Sequence, residues 1–147
     1  MKHLLSVNDM SLGQINQLLD VAQKFLVEQK LWGNQIRLLE GYYILLLFFE
    51  SSTRTRTSFE LAARRLGAEV INVYPEQSAI QKHESVVDTA ITLNCMSIDA
   101  LVIRHPEAGM AKHLSKHVDY HVINAGDGDN EHPTHCLLYT SPSPRDS

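Results

Sequence analysis

The stretch Tyr43-Ile44-Leu45-Leu46-Leu47-Phe48-Phe49-Glu50-Ser51-Ser52-Thr53-Arg54-Thr55-Arg56-Thr57-Ser58-Phe59-Glu60 changes character twice within eighteen residues. Its first seven residues form a continuous apolar run, too short for a globular helix. Such a run fits a strand buried on both faces, as in a parallel sheet. Hydroxyl residues and arginines follow. From about residue 53 to 66 a helix is expected, with Phe59, Ala62, Ala63 and Leu66 on its apolar side and Gly67 as its stop.

The alternation continues in both directions. Upstream, Ser11 precedes Leu12, Ile15, Leu18, Leu19, Ala22, Phe25 and Leu26, the pattern of an amphipathic helix with a serine N-cap. A polar connection with Gly33 and Gly41 leads from it to the apolar run. Downstream, strands are expected over 70–74, 100–104 and 121–124. Helices are expected over 84–95, with Val87, Ala90, Ile91 and Asn94 on one face, and over 108–116. Strands alternating with helices of this length indicate an α/β fold, a parallel sheet with helices on both faces. No repeat is visible. Residues from Tyr139 onward carry prolines at alternate positions and almost no apolar content, the composition of a disordered tail.

A chain of 147 residues has room for one domain and can bury a core without staples. The net charge of −4 argues against a broad nucleic-acid-binding face but leaves room for a local arginine cluster that holds a small anion. The two cysteines, Cys95 and Cys136, form no C-x-x-C pair and read as reduced, partly buried thiols. The first residues meet acid too soon for a secretory signal, and the apolar run is less than half the ~20 residues of a membrane helix. The expected location is the cytoplasm, with neither membrane nor nucleic acid as partner.

In open α/β sheets ligands collect at the carboxyl ends of the strands. Those ends are expected at 49–55, 74–84, 104–106 and 124–132, and polar or charged residues crowd all four. At the first, a strand ends in hydroxyls and arginines where a helix starts. The unpaired N–H groups and positive dipole end of such a helix attract an anion. Ser52, Thr53 and Thr55 add hydroxyl donors, and Arg54 a planar fork suited to phosphate oxygens. Neither G-x-x-x-x-G-K-[ST] nor G-x-G-x-x-G occurs, so a nucleotide loop is not the explanation.

This segment resembles the carbamoyl-phosphate loop of the aspartate and ornithine carbamoyltransferases. Three further segments resemble that family in order. Ser-Ala-Ile-Gln-Lys-His-Glu-Ser at 78–85 is similar to its mobile loop, Ile-Arg-His-Pro-Glu at 103–107 to its Arg-His-Pro segment, and residues 124–134 to its Asn-Ala-Gly-Asp-Gly…His-Pro-Thr segment. Lys82, Arg104-His105-Pro106, Gly126-Asp127-Gly128 and His132-Pro133-Thr134 resemble the aspartate rather than the ornithine branch.

The resemblance implies that Ser52, Thr53, Arg54 and Thr55 hold the phosphate of carbamoyl phosphate, with Thr55, Arg104 and His132 around the carbamoyl oxygen. It implies L-aspartate as acceptor, no metal and no organic cofactor. It also implies a homotrimer in which Ser78 and Lys82 serve a neighbouring subunit's site. An ornithine-specific enzyme and a non-catalytic anion-binding module are the alternatives. Two departures stand out: His83 replaces the glycine usual after the loop lysine, and His135 replaces a glutamine that contacts the carbamoyl group. The expected organisation is a carbamoyl-phosphate-binding domain over 1–134 and a tail foreign to the family over 135–147, with the aspartate-binding domain absent. His113, His117 and His121 recur at four-residue spacing, but the last opens a strand and lysines flank the others, so no metal site is expected.

Overall fold

The computed structural model describes residues 1–32, 36–75, 83–128 and 132–134. Ser78, Lys82, His135, Cys136 and the expected tail over 135–147 lie outside the described residues.

Four parallel strands, β1 (Tyr43–Phe48), β2 (Glu69–Val73), β3 (Ala100–His105) and β4 (His121–Asp127), form one sheet in the order β2-β1-β3-β4. Helices α1 (Leu12–Trp32), α2 (Thr53–Arg65), α3 (His83–Cys95) and α4 (Met110–Ser115) connect or precede them. Alternate residues of β1 feed two cores. Leu45 and Leu47 pack with Val86, Ala90, Leu93, Met110 and Leu114 of α3 and α4. Leu46 and Phe48 pack with Val102, Ala125 and Phe59 of α2. The apolar run is therefore buried on both faces, as a parallel strand must be when helices cover each side.

Local chemistry explains the element limits. Ser11 Oγ accepts from the Gln14 N–H at 3.1 Å while Gln14 Oε1 accepts from the Ser11 N–H at 2.9 Å, a reciprocal cap that starts α1. Gly67 follows α2 with φ +88, a backbone conformation that costs glycine little. Other limits differ from the sequence expectation. The fourth helix begins at Met110 rather than 108, because Gly109 is left-handed at φ +82 and its N–H is taken by Asp127 Oδ2 at 2.7 Å. β4 runs three residues past 124, since Ala125, Gly126 and Asp127 are buried against neighbours. In α3 the buried face is Val86, Ala90 and Leu93, and Ile91 is exposed, so the expected face was turned by about one residue. Cys95 is exposed rather than partly buried, at the carboxyl end of that helix.

The N-terminal residues add a contact that periodicity did not reveal. Leu4 bridges in parallel to Ile123, donating to Val122 O at 2.9 Å and accepting from the Asn124 N–H at 2.8 Å. His3 Nδ1 accepts from the Val122 N–H at 2.9 Å, and His121 Nδ1 lies 2.6 Å from Lys2 O. Only an unprotonated Nδ1 can accept. Burial, then the charges of Lys2 and His121, hold the His3 pKa below its ordinary 6.5. On acidification the unfolded segment takes up the proton first, so this contribution is complete above the ordinary histidine range and lost as pH falls through the lower folded value. NMR titration should show the Leu4 and Val122 amide resonances moving together with the His3 ring over that window. A His3→Ala chain should lose the transition.

Candidate functional site

β1 connects through α2 to β2 on one side, and the chain then crosses back through α3 to β3 on the other. The carboxyl ends of β1 and β3 therefore flank the point where strand order reverses, where open α/β sheets leave a crevice. The Phe49 N–H donates to Arg104 O at 2.8 Å and joins the two ends.

α2 opens beside this junction. Ser52 is its N-cap, with φ −147 and ψ 77, and its side chain makes no capping hydrogen bond. The first intrahelical bond runs from the Arg56 N–H to Ser52 O at 3.0 Å. The N–H groups of Thr53, Arg54 and Thr55 precede that bond and have no intrahelical acceptor. Thr53 and Arg54 are exposed and Thr55 is half-buried. A helix of thirteen residues thus presents its positive end, a hydroxyl not used for capping and a solvated arginine at the strand ends.

Near the end of β3, Arg104 is held by two acceptors. Nε donates to Glu50 Oε2 at 3.4 Å and Nη1 donates to Ala125 O at 3.1 Å. Its guanidinium lies over Gly126, where a Cβ would come within 3.0 Å of Nη1 and 3.2 Å of Cζ. Gly126 has φ +125, so glycine is required there twice over, by space and by backbone. Asn124, almost fully buried, accepts from the Gly126 N–H at 2.9 Å and donates to Leu5 O at 3.0 Å. The turns after β3 and β4 interlock next to it. The Gly128 N–H donates to His105 O at 3.1 Å, and a Cβ on Gly128 would lie 2.6 Å from Pro106 O. His105 packs edge-on to Phe49 with centroids 4.7 Å apart, and its Nδ1 accepts from the Glu107 N–H at 3.0 Å.

Among the residues singled out from sequence, Ser52, Thr53, Arg54 and Thr55 share the helix opening, and Arg104 stands at the adjoining strand end. His132 is half-buried, with Nδ1 3.4 Å from Thr134 Oγ1. His83 is the first residue of α3. Sequence reasoning missed Glu50, Asn124 and Gly126 as supports of Arg104, although the quoted segments contain all three. A pairing fifty-four residues apart, as between Arg104 and Glu50, leaves no periodic signal. His113 and His117 contact ring to ring at 5.2 Å, while His121 turns to Lys2 O. A groove of about 280 Å³ between α1 and α2 is lined mainly by Ala22, Phe25, Leu26, Ile36, Ala62 and Leu66. Its apolar walls offer little to a phosphate.

These features define an α/β domain with an open helix start at its switch point. Residues 2–141 match the family model "Aspartate/ornithine carbamoyltransferase, carbamoyl-P binding domain", and the chain belongs to that family. It is 47% identical over 137 residues to an aspartate carbamoyltransferase catalytic subunit of Caulobacter vibrioides, covering 93% of this chain and 41% of that protein. An aspartate transcarbamoylase from Trypanosoma cruzi, solved with carbamoyl phosphate and aspartate, superposes with a TM-score of 0.85 at 37% identity, over 95% of this chain and 43% of that one. The catalytic subunit of M. Jannaschii aspartate transcarbamoylase gives 0.83 at 42% identity, over 95% and 45%. The chain spans less than half the length of these relatives.

The glycine under Arg104 gives a direct check. Gly126→Ala should lower stability by about 1–3 kcal/mol, because it forces a side chain into a strained backbone and against the guanidinium. Chemical denaturation of the two chains measures the difference.

Proposed function

We propose that residues 1–134 form the carbamoyl-phosphate-binding domain of an aspartate carbamoyltransferase, with the family match running on to residue 141. The observation that carries this reading is the opening of α2 beside the β1–β3 junction, where the Ser52 hydroxyl makes no capping hydrogen bond and Arg104 is held at the adjoining strand end. The names of the aspartate-specific relatives support aspartate as acceptor.

On this reading Ser52, Thr53, Arg54 and Thr55 hold the phosphate through hydroxyls, backbone N–H groups and a guanidinium fork. The amine of L-aspartate attacks the carbonyl carbon of carbamoyl phosphate. A tetrahedral intermediate forms and the bond to the phosphate oxygen breaks, giving N-carbamoyl-L-aspartate and phosphate, the opening chemistry of pyrimidine synthesis. Negative charge gathers on the carbonyl oxygen in that intermediate. Thr55, Arg104 and His132 are the donors assigned to it, and His135 takes the place of a further carbamoyl contact. Losing one such donor typically costs a factor of about 10² to 10³ in rate. The remaining contribution is holding two reactants in line. Ser78 and Lys82 are assigned to the site of a neighbouring subunit in a homotrimer, and the setting is the cytoplasm. No helix of the described residues is long and apolar enough to cross a membrane.

Two experiments test the assignment. The 147 residues alone should bind phosphate and carbamoyl phosphate but produce no carbamoyl-aspartate. Arg54→Ala should weaken phosphate binding at least about tenfold by calorimetry, with an unchanged melting temperature, since it removes a charge-assisted hydrogen bond and little packing. An unchanged affinity in the folded variant would overturn the loop assignment. The second test uses the chain joined to the aspartate-binding half of a relative. A ring-closing interface places residues of two chains in each site. Mixed Lys82→Ala and Arg54→Ala proteins should then regain part of the activity that each lacks, because one site of a hybrid escapes both lesions.

A further inference from the structure

Arg54 is exposed, whereas Arg56, two residues on, folds over the carboxyl end of the sheet. Its Cζ lies 4.8 Å from the ring centroid of Phe48 and 4.4 Å from that of Tyr74. Both distances are within the range at which a cation is attracted to an aromatic face. Nη1 donates to Asn72 Oδ1 at 2.7 Å. Asn72 Nδ2 donates in turn to Glu60 Oε1 at 3.0 Å, which also accepts from Arg64 Nη2 at 3.3 Å. These bonds, the Asn72 amide first and Arg64 next, hold the Glu60 carboxyl below its ordinary range, so the network ends on a carboxylate.

The partners belong to separate elements. Phe48 ends β1, Asn72 lies within β2, Tyr74 stands just past β2, and Glu60 and Arg64 are on α2. The backbone of Arg56 closes the first turn of α2 on Ser52 O, and its side chain fastens the same turn to two strand ends. A guanidinium within reach of two rings on different strand ends loses one of them if the helix rolls about its axis or slides along it. Tyr74 is also four residues before Ser78, so the clamp engages the strand end that leads toward Ser78 and Lys82.

We propose that Arg56 is a positioning residue: without touching the anion, it sets the angle at which the N–H groups of Thr53, Arg54 and Thr55 meet a phosphate. This rests on the phosphate reading of the helix start. It separates the two arginines of one short motif into a contact (Arg54) and a support (Arg56).

The test uses the 147-residue chain with inorganic phosphate as the probe. NMR follows the amide resonances of residues 53–55 without ligand, calorimetry follows phosphate affinity, and thermal unfolding follows the fold. Arg56→Met and Tyr74→Leu should each shift those three amides in the ligand-free chain and weaken phosphate about three- to tenfold, up to the equivalent of one tenfold step in affinity. The double variant should be no weaker than the worse single one, because both changes open the same clamp. Arg56→Lys keeps a cation over the rings but loses the planar fork to Asn72, and should fall between wild type and Arg56→Met. Should Arg56→Met fail to fold, Arg56→Lys and Tyr74→Leu carry the comparison. Weakened binding in the Arg56 variants, with Tyr74→Leu unaltered in both amides and affinity, would make Arg56 a direct contact and overturn the proposal. So would unshifted amides in all these variants. If the wild-type chain binds no phosphate, the site reading fails on that result alone, and the ligand-free amide shifts still decide whether Arg56 sets the helix start.

Discussion

The parallel pairing of β1 with β3, from Ile44↔Ala100 to Phe48↔Arg104, decides where everything chemical in this chain falls. These strands are not consecutive. β2 lies on the far side of β1, so the chain crosses back before β3, and the two loops leaving β1 and β3 diverge to opposite faces. The Phe49 N–H to Arg104 O bond extends the pairing to the edge of that divergence. The pairing is buried beneath both layers of helices. Leu46, Leu47, Leu101, Val102 and Ile103 are each 1% exposed or less. Burial of such a side chain is worth roughly 1.5–3 kcal/mol. A helix start and an arginine roughly fifty residues apart in sequence are thus brought to neighbouring strand ends by apolar packing.

Around this junction the arginines have distinct surroundings. Arg104 reaches Glu50 and a carbonyl, while Arg56 lies within reach of two rings and an amide oxygen. Arg54 is left to solvent. Glu50 and Arg104 are both partly exposed, so their ion pair adds little to stability, and its consequence is orientation. The interlocked turns after β3 and β4 work in the same direction. Gly126 and Gly128 allow backbones and a guanidinium to approach where a Cβ would collide, and buried Asn124 and Asp127 satisfy the N–H groups that this tight path would otherwise leave unpaired.

Much of this was legible beforehand because the signals are local. A seven-residue apolar run between polar turns cannot bury itself except as a strand inside a sheet, and Gly67 marks where a right-handed helix must end. Ser11 and Gln14 sit at the spacing of a reciprocal cap. Where the reading slipped, a distant partner intervened. The face of α3 is set by the sheet beneath it, so Val86 and Leu93 are buried and Ile91 is not. The start of α4 is set by Asp127, eighteen residues from Gly109. The N-terminal bridge spans more than a hundred residues and pairs Leu4 with Ile123 across an edge that no periodicity marks.

By itself the sequence determined the class of fold, the order of elements and the chemistry at each strand end, since hydrophobic period, turn residues and hydroxyl-arginine runs depend only on neighbours along the chain. The four motifs were sufficient to indicate the family. Tertiary structure alone decided which arginine meets solvent and which is clamped, because Arg54 and Arg56 have the same side chain and nearly the same local context. Their difference arises from Phe48, Asn72 and Tyr74, which reach one of them and not the other only after β1 and β2 have paired. It also decided that Gly126 must be glycine, since the group that forbids a Cβ there is Arg104, carried on the neighbouring strand.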